Sequence, residues 1–129
     1  MIAVDTSAIV AILYNEPHEE RLRAALEATS GALTCTSNLL ELQLVLAGRR
    51  TSAGWDEAEA LLAKYNIVPF PFNERQLAIA REAAIRFGKG RHKAGLNFGD
   101  CFAYALAKSE GIPLLCTGSD FALTDVEIA

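Results

Sequence analysis

The sequence has too few cysteines, in the wrong pattern, for disulfide or zinc chemistry. Its three cysteines, Cys35, Cys101 and Cys116, are odd in number, lie in apolar stretches and show no C-x-x-C spacing. A disulfide framework needs paired cysteines, and a zinc site needs cysteines and histidines at short spacing. We therefore predict buried free thiols, and we propose neither redox nor zinc chemistry.

The chain also lacks a recognisable targeting or membrane-spanning segment. Residues 1–10 contain Asp5 and no positively charged region, and the apolar run at residues 8–13 is far too short to cross a bilayer. We therefore expect a cytoplasmic protein without a membrane partner.

An excess of positive charge is missing as well. The 12 lysines and arginines are outnumbered by 16 aspartates and glutamates, for a formal net charge of -4. Overall charge thus gives no reason to expect nucleic acid or an anionic membrane, and any polyanion would have to bind a local basic patch. With 129 residues, 51% of them hydrophobic, and no repeat or linker, we expect one domain spanning residues 1–129.

Apolar runs and helical patterns alternate along the chain. Strands are predicted at residues 2–4, 32–36, 67–72 and 113–116, with a possible edge strand at 126–128. Helices are predicted at 7–14, 17–28, from 37–38 to a basic loop at 48–52, from Trp55, at 73–87 and from Phe98. Strand–helix alternation predicts an α/β fold, a three-layer α/β/α sandwich around a mainly parallel sheet of four to five strands. The prolines at 69 and 71 confine the third strand to an edge, and Leu77, Ala80 and Ala84 are predicted to face inward from the helix at 73–87.

Four acidic residues stand at comparable places in this pattern. Asp5 and Asp120 follow strand ends, whereas Glu41 and Asp100 lie in the first turns of two largely apolar helices. Parallel strands and right-handed crossovers send strand ends and helix N-termini to one edge of the sheet, which is where open α/β sheets bind ligands. We therefore predict that the four carboxylates converge.

Each acid also has a simpler explanation as a helix cap. Asp5 and Asp120 can cap the segments that follow them. Asn97 and Asp100 fit a capping box, and Asn38-x-x-Glu41 fits one loosely. Capping accounts for each residue separately but does not require that they meet.

Converging carboxylates would repel one another and raise their pKa values unless a cation were present. The natural cation is Mg²⁺, with Mn²⁺ as a substitute, because hard oxygen ligands and retained waters suit it. Its free positions can hold phosphate oxygens and the attacking water. The pattern thus predicts metal-assisted hydrolysis of a phosphodiester.

These residues resemble a known family. The segments VDTSA at 4–8, GLNFGD at 95–100 and GSDF at 118–121, together with Glu41 in its apolar helix, are similar to the motifs of PIN-domain nucleases. Within that family the chain most resembles VapC toxins of toxin–antitoxin pairs, and the basic loop leading into residues 96–100 is specific to that branch. The resemblance implies a PIN-like fold and a Mg²⁺-dependent endoribonuclease that is neutralised by a cognate, VapB-like antitoxin.

By position, the resemblance implies that Asp5, Glu41, Asp100 and Asp120 are the catalytic and metal-binding acids. The polar side chains expected to support them are Thr6, Ser7, Asn97 and Ser119. Ser119 is a departure, because these toxins often carry Asp or Asn there. A second metal position would be weaker for that reason.

A net acidic protein must present positive charge locally to bind RNA. The residues predicted to do so are Lys89, Arg91, His92 and Lys93 in the glycine-rich loop at 88–95, helped by Arg75 and Arg86. Flexible basic loops suit phosphate backbones. The alternative is an ordinary solvated loop.

The helices at 7–14 and 17–28, with the Glu41 and Trp55 helices, carry more leucine and aromatic surface than one side of a small sheet covers. With the toxin resemblance, this surface predicts a homodimer and a groove for the apolar C-terminal segment of an antitoxin. A terminal Arg or Lys of that segment would neutralise the acidic site. Alternatively, these leucines fill one ordinary core.

Three other functions share parts of this pattern. A response-regulator receiver, a Mg²⁺-binding phosphotransfer domain, would need an acidic pair after the first strand and a late lysine, but Thr6 and Thr117-Gly118 occupy those places. A phosphatase built on Asp-x-Asp fails because Ser7 replaces the second Asp. A PIN-fold interaction module without catalysis is disfavoured by the four retained acids and weakly favoured by Ser119.

Overall fold

A computed structural model describes residues 1–49 and 54–129 of the chain. Arg50, Thr51 and Ser52 of the predicted basic loop lie outside the described residues. The elements are β1 (Ile2–Val4), α1 (Thr6–Leu13), α2 (Glu19–Ala28), β2 (Ala32–Cys35), α3 (Thr36–Gly48), α4 (Trp55–Lys64), β3 (Ile67–Phe70), α5 (Glu74–Phe87), α6 (Phe98–Glu110) and β4 (Leu114–Leu115), followed by a 3₁₀ turn at Phe121–Leu123.

The described strands form one four-stranded parallel sheet in the order β3-β2-β1-β4. Ala3 of β1 pairs with Leu33 of β2 on one side and with Leu114 of β4 on the other. The predicted parallel sheet is therefore confirmed, and the proline-containing β3 lies at its edge. Residues 126–128 add a single bridge, Ile128 to Leu114, rather than a full edge strand.

Two cores cover the two faces of the sheet. β1 is apolar at every position, as a strand buried on both faces must be. Its side chains alternate, so Ile2 and Val4 join a core with α1 to α4, whereas Ala3 joins a core with α5 and α6. The predicted three-layer α/β/α sandwich is confirmed.

Three predicted helix starts are wrong by one or two residues. The first is α1, which begins at Thr6 rather than at Ser7. His18 adopts a left-handed conformation with φ of 75°, which leaves Pro17 in a turn, and α2 begins only at Glu19. The extended Cys35 leads directly into α3, which therefore begins at Thr36. Asn38 consequently lies inside α3 and does not form the predicted cap.

The inward face of α5 also differs from the prediction. Leu77 and Ala84 are exposed, and the buried side chains are those of Gln76, Ala80, Ala83 and Phe87. The buried face is shifted by about one residue toward the N-terminus from the face predicted by Leu77 and Ala84, because the packing of α5 against α6 decides which face is buried.

Most of the apolar surface on the first four helices fills one core, as the simpler alternative predicted. Ile9, Ile12 and Leu22 are at most 2% exposed. The exceptions are Leu40 and Leu44 on α3, which are 64% and 67% exposed.

The three cysteines are free thiols, as predicted, although Cys101 is only partly buried. None of the described helices is long and apolar enough to cross a membrane.

The strand order determines where this sheet can bind a ligand. From β1 the chain moves outward through β2 to β3, then returns to place β4 on the other side of β1. The crevice at the carboxyl ends of β1 and β4 is thus the point where an open α/β sheet binds its ligand.

Candidate active site

A cavity of about 300 Å³ opens at the carboxyl ends of β1 and β4. Its walls come from the residue after β1, from α1 and α3 with the residues that follow them, from the start of α6 and from the loop after β4. The residues that line it are Asp5, Thr6, Ser7, Val10, Glu16, Glu41, Val45, Arg49, Asn97, Asp100 and Thr117. Three of the four predicted acids therefore meet at one cavity, and each comes from a different part of the chain.

Asp5 is the most buried of these acids, with 3% of its surface exposed. Its Oδ2 accepts hydrogen bonds from the Ser7 amide at 3.1 Å and from the Ser7 hydroxyl at 2.6 Å. Its Oδ1 is buried and has no partner among the described residues. Burial raises the pKa of Asp5 to about 6, with added effect from the charges of Asp100 and Glu41, although the Ser7 hydrogen bonds oppose the shift.

Ser7 and Thr6 connect Asp5 to neighbouring elements. The Ser7 hydroxyl, which donates to Asp5, also accepts a hydrogen bond from the Thr117 amide at 3.1 Å. The Thr6 hydroxyl donates to the Asn38 carbonyl at 3.1 Å and so ties α1 to α3. Ser7 thus contacts the predicted acid directly, whereas Thr6 acts on the position of α3.

Glu41 is oriented by Asn38, which the sequence suggested only as a helix cap. Asn38, only 1% exposed, donates through Nδ2 to Glu41 Oε1 at 3.2 Å and to the Gly99 carbonyl at 3.1 Å. The Glu41 carboxylate lies so close to Gly99 that an added Cβ there would collide with it. The spacing of Asn38 and Glu41 was visible in the sequence, but it fits a capping box equally well.

Asp100 both caps its helix and lines the cavity. Asp100 Oδ2 accepts from the Asn97 amide at 3.0 Å, and Asn97 Oδ1 accepts from the Asp100 amide at 2.9 Å, which completes the predicted capping box. Burial raises the pKa of Asp100, and the charges of Glu41 and Asp120 act in the same direction against the Asn97 hydrogen bond. Asp100 therefore caps α6 and is also one of the acids of the cavity, so the two explanations of this residue do not exclude each other.

Asp120 and Ser119 lie outside the cavity lining and are exposed. Asp120 precedes the 3₁₀ turn but makes no side-chain capping bond. Its charge contributes to the raised pKa of Asp100, so the two carboxylates are close enough to interact. The structure therefore brings three acids around the cavity and leaves the fourth near Asp100.

The basic residues predicted to bind RNA do not line the cavity in the described part of the chain. Lys89, Arg91 and Lys93 are exposed on a loop closed by a hydrogen bond from the Lys89 amide to the Leu96 carbonyl. His92 instead packs edge-on against Phe87, and its Nδ1 accepts from the Ala94 amide.

The two arginines of α5 differ. Arg75 is exposed on the first turn, whereas Arg86 is 3.5 Å from Asp125 and packs over the Phe87 ring. Part of the charge of Arg86 is therefore compensated within the protein.

The cavity also contains two residues that the sequence did not single out. Arg49, at the end of α3, lies 3.6 Å from Glu16 and 4.4 Å from the centre of the Tyr14 ring. Arg49 belongs to the basic segment at 48–52, but nothing in the sequence connects it to Glu16.

The donor set suits a hard divalent cation held with retained water. Among the described residues, no three aspartates, glutamates, histidines or cysteines are grouped closely enough to hold an ion by direct contacts alone. The cavity nevertheless offers the unpartnered Asp5 Oδ1 and the carboxylates of Glu41 and Asp100. Mg²⁺ is commonly bound through one or two carboxylates and several waters, so these residues fit it.

The protein is thus a parallel α/β domain that gathers carboxylates at the carboxyl ends of its strands, where open α/β sheets bind their ligands. The profile of the PIN domain matches residues 2–127 of this sequence. The chain belongs to the PIN domain family.

Relatives in sequence cover nearly the whole chain. The ribonuclease VapC30 of Mycobacterium tuberculosis is 44% identical over 125 residues, which span 97% of this chain and 95% of that protein. A ribonuclease VapC of Mycolicibacterium smegmatis is 43% identical, with 97% of each chain covered.

Solved structures share the fold at lower identity. VapC20 of M. tuberculosis, described as a sarcin-ricin loop cleaving toxin, superimposes with a TM-score of 0.78 at 17% identity, covering 100% of this chain and 98% of that one. VapBC2 of Rickettsia felis, solved with a DNA fragment from its promoter, gives 0.72 at 13% identity, with 100% and 98% covered. These similarities establish the PIN-type architecture.

Proposed function

We propose that this chain is a metal-dependent endoribonuclease, the VapC toxin of a VapBC toxin–antitoxin pair, formed as one domain over residues 1–129. The ribonuclease names of relatives more than 40% identical support this activity. The observation that carries the metal dependence is the buried Asp5 Oδ1, which has no partner among the described residues and shares a cavity with Glu41 and Asp100. The receiver alternative is set aside, since the chain is a PIN domain.

Asp5, Glu41 and Asp100 are the residues that would hold Mg²⁺, or Mn²⁺ in its place, with Asp120 contributing from the rim. A bound divalent ion would polarise a phosphate oxygen and lower the pKa of a bound water. The exposed Ser119 offers no carboxylate for a second ion.

The chain's own residues keep these carboxylates in place. Ser7 donates to one oxygen of Asp5, and the other oxygen, which has no partner among the described residues, is left for a ligand. Asn38 donates to one oxygen of Glu41, and the Asn97 amide donates to one oxygen of Asp100. Each acid is thereby held on one side only, an arrangement that orients it without consuming its capacity to bind.

We assign the exposed loop side chains Lys89, Arg91 and Lys93, with Arg75, to the RNA strand outside the cavity. His92 and Arg86 have internal partners and contribute less. Removing one phosphate contact should lower the salt dependence of single-strand binding by about 0.7 in log–log slope. A Lys89→Gln variant with an unaltered slope would place the phosphates elsewhere.

The partners we propose are RNA, a VapB-like antitoxin in the cytoplasm, and a second copy of the chain. The exposed Leu40 and Leu44 support a homodimer, and the apolar walls of the cavity at Val10 and Val45 support a groove for the antitoxin's C-terminal segment. Sedimentation of the isolated chain tests the dimer, and a strictly monomeric species would exclude it. Co-expression with a VapB-like antitoxin tests the groove, and failure to form a complex would exclude it.

The activity is tested with purified protein and mixed-sequence RNA in the presence of Mg²⁺ or of EDTA. Cleavage should require the metal. Asp100→Asn should lower kcat/KM by roughly 100-fold or more while the protein stays folded, because it removes a charge on which the reaction depends.

Asp125→Asn is the matched control, since it changes an aspartate outside the cavity. Its cleavage rate should stay close to that of the native protein. Cleavage that persists in EDTA, or an Asp100→Asn enzyme as active as the control, would contradict the proposal.

A further inference from the structure

The active-site cavity has an electrostatic difficulty if its substrate is RNA. Four carboxylates line it, those of Asp5, Glu16, Glu41 and Asp100, and the strand that must enter carries a negative charge on every phosphate. A divalent ion compensates only the charge next to it, so the neighbouring phosphates need a positive side chain of the protein. Among the described residues that line the cavity, the cationic one is Arg49.

Arg49 is placed along the same wall as Glu41. Glu41, Val45 and Arg49 follow one another at intervals of four residues and all line the cavity. At ~1.5 Å per residue, the helix ends at Gly48 about 10 Å beyond Glu41, and Arg49 follows directly in extended conformation. A phosphate bound at Arg49 is therefore a neighbour of the reacting phosphate along the strand.

The guanidinium of Arg49 is held in position but remains available. It packs 4.4 Å from the centre of the Tyr14 ring, which restricts its rotation. Its closest carboxylate contact is Glu16, through a single Nη1 to Oε2 approach of 3.6 Å, and the Arg49 side chain is 40% exposed. An exposed ion pair at that distance contributes little stability, and most of the N–H donors of the guanidinium are left for a ligand.

We propose that Arg49 is the phosphate-binding residue of the cavity and that the Glu16 carboxylate partly compensates the positive charge of its guanidinium. Arg49 contacts a non-bridging oxygen of an RNA phosphate adjacent to the cleaved one, using the planar N–H pair that matches a phosphate. Glu16 positions the guanidinium in the free protein and partly compensates it. This inference rests on the proposed ribonuclease function.

The two members of the pair should respond in opposite directions when each loses its charge. Binding is measured for a mixed-sequence single-stranded RNA in the Asp100→Asn background, so that the strand stays intact. Arg49→Gln should weaken binding roughly tenfold. The same change should lower the log–log salt slope by about 0.7. Glu16→Gln should bind RNA as tightly as its parent or more tightly, because it frees the guanidinium.

Cleavage kinetics in the otherwise native protein provide the second measurement. Since Arg49 contacts a phosphate that does not react, Arg49→Gln should raise KM and leave kcat nearly unchanged. Arg49→Lys should recover the salt slope but only part of the affinity. Arg81→Gln is the matched control, because Arg81 is an exposed arginine on α5 outside the cavity, and it should leave the slope and KM unaltered.

If the Glu16–Arg49 pair has only a structural role, a different result is expected. Arg49→Gln and Glu16→Gln should then both weaken RNA binding and lower the Tm to similar extents. That outcome, or an Arg49→Gln protein with native slope and KM, would overturn the inference. A loss of antitoxin binding in Arg49→Gln with unchanged RNA binding would also overturn it and would assign Arg49 to a carboxylate of the protein partner. A native protein without RNA cleavage would instead refute the proposed function itself.

Discussion

Two aspartates of this protein occupy opposite electrostatic situations. Asp5 lies in the cavity with three other carboxylates, those of Glu16, Glu41 and Asp100. One of its oxygens has no partner among the described residues, and burial raises its pKa to about 6. Asp125 lies beside α6, accepts from the Tyr104 hydroxyl at 2.5 Å and from Lys108 at 3.2 Å, and is 3.5 Å from Arg86. The Tyr104 hydrogen bond, with the two cations, lowers the pKa of Asp125.

The difference separates a ligand site from a structural contact. The hydrogen bonds and ion pairs of Asp125 tie the C-terminal segment to α5 and α6 and compensate the charge of its carboxylate. The burial of the Asp5 charge is unfavourable in the protein alone, and a bound cation, as we propose, would offset that cost. A carboxylate kept in that condition is typical of functional sites, where pKa values are commonly perturbed.

The largest effect on the comparison is expected when the charged carboxylate of each aspartate is replaced by a neutral amide and the free energy of unfolding is measured. In metal-free protein at pH 7, ionised Asp5 costs folding roughly 3 kcal/mol, from the difference between a pKa of about 6 and the ordinary 3.8. Asp5→Asn, which retains a good N-cap, should therefore raise the free energy of unfolding by on the order of 2 kcal/mol. Asp125→Asn should instead lower it by less than ~1 kcal/mol, because the ion pairs of Asp125 are partly exposed.

The sign of the Asp5 effect follows from linkage. Between the ordinary value of 3.8 and about 6 the unfolded chain has released the proton while the folded protein keeps it, so native stability falls as pH rises through that window. The advantage of Asp5→Asn should be small below pH 4 and constant above pH 6. Urea unfolding in EDTA across this range measures it. An advantage that did not change with pH would refute the ionisation argument.

The next largest effect concerns how Glu41 is held. Asn38→Ala removes the donor to Glu41 and to the Gly99 carbonyl, and kcat should fall roughly 10- to 100-fold with little change in KM. Asn73→Ala is the matched control, because it removes the N-cap of α5 and costs ~1 kcal/mol of stability away from the cavity.

Steady-state cleavage of RNA and thermal unfolding of both asparagine variants separate the two roles. If kcat of Asn38→Ala fell no further than that of Asn73→Ala, Asn38 would have only a structural role. It would then belong with the structural contacts of the protein and not with the cavity acids.

The smallest effect is expected at Gln76, which tests whether a buried polar side chain without a partner is by itself a sign of function. The Gln76 amide on α5 is fully buried with no hydrogen-bond partner for either terminal atom among the described residues, and Gln76 does not line the active-site cavity. Gln76→Met should stabilise the protein by about 1 kcal/mol and leave cleavage unchanged. A destabilised variant in urea unfolding would show that the amide makes buried hydrogen bonds, and a loss of cleavage would extend the functional region to α5.

The order of elements and the location of the acids followed from local sequence patterns. Apolar runs that end in Asp5 or precede Asp120, and the capping box of Asn97 and Asp100, are features of neighbouring residues. Strand–helix alternation then requires a parallel sheet, and parallel strands require a common edge. These steps use chain direction and periodicity alone, which is why they could be predicted.

Tertiary packing decided the rest. Asn38 reaches Gly99 across 61 residues of sequence, and Ser7 meets Thr117 across 110. No local pattern encodes such contacts, the rotation of α5 that buries Gln76, or the approach of Arg49 to Glu16. The sequence by itself determined which carboxylates reach the edge of the sheet. Only the folded structure decided which oxygen is left without a partner, because burial and pKa depend on elements that meet from distant parts of the chain.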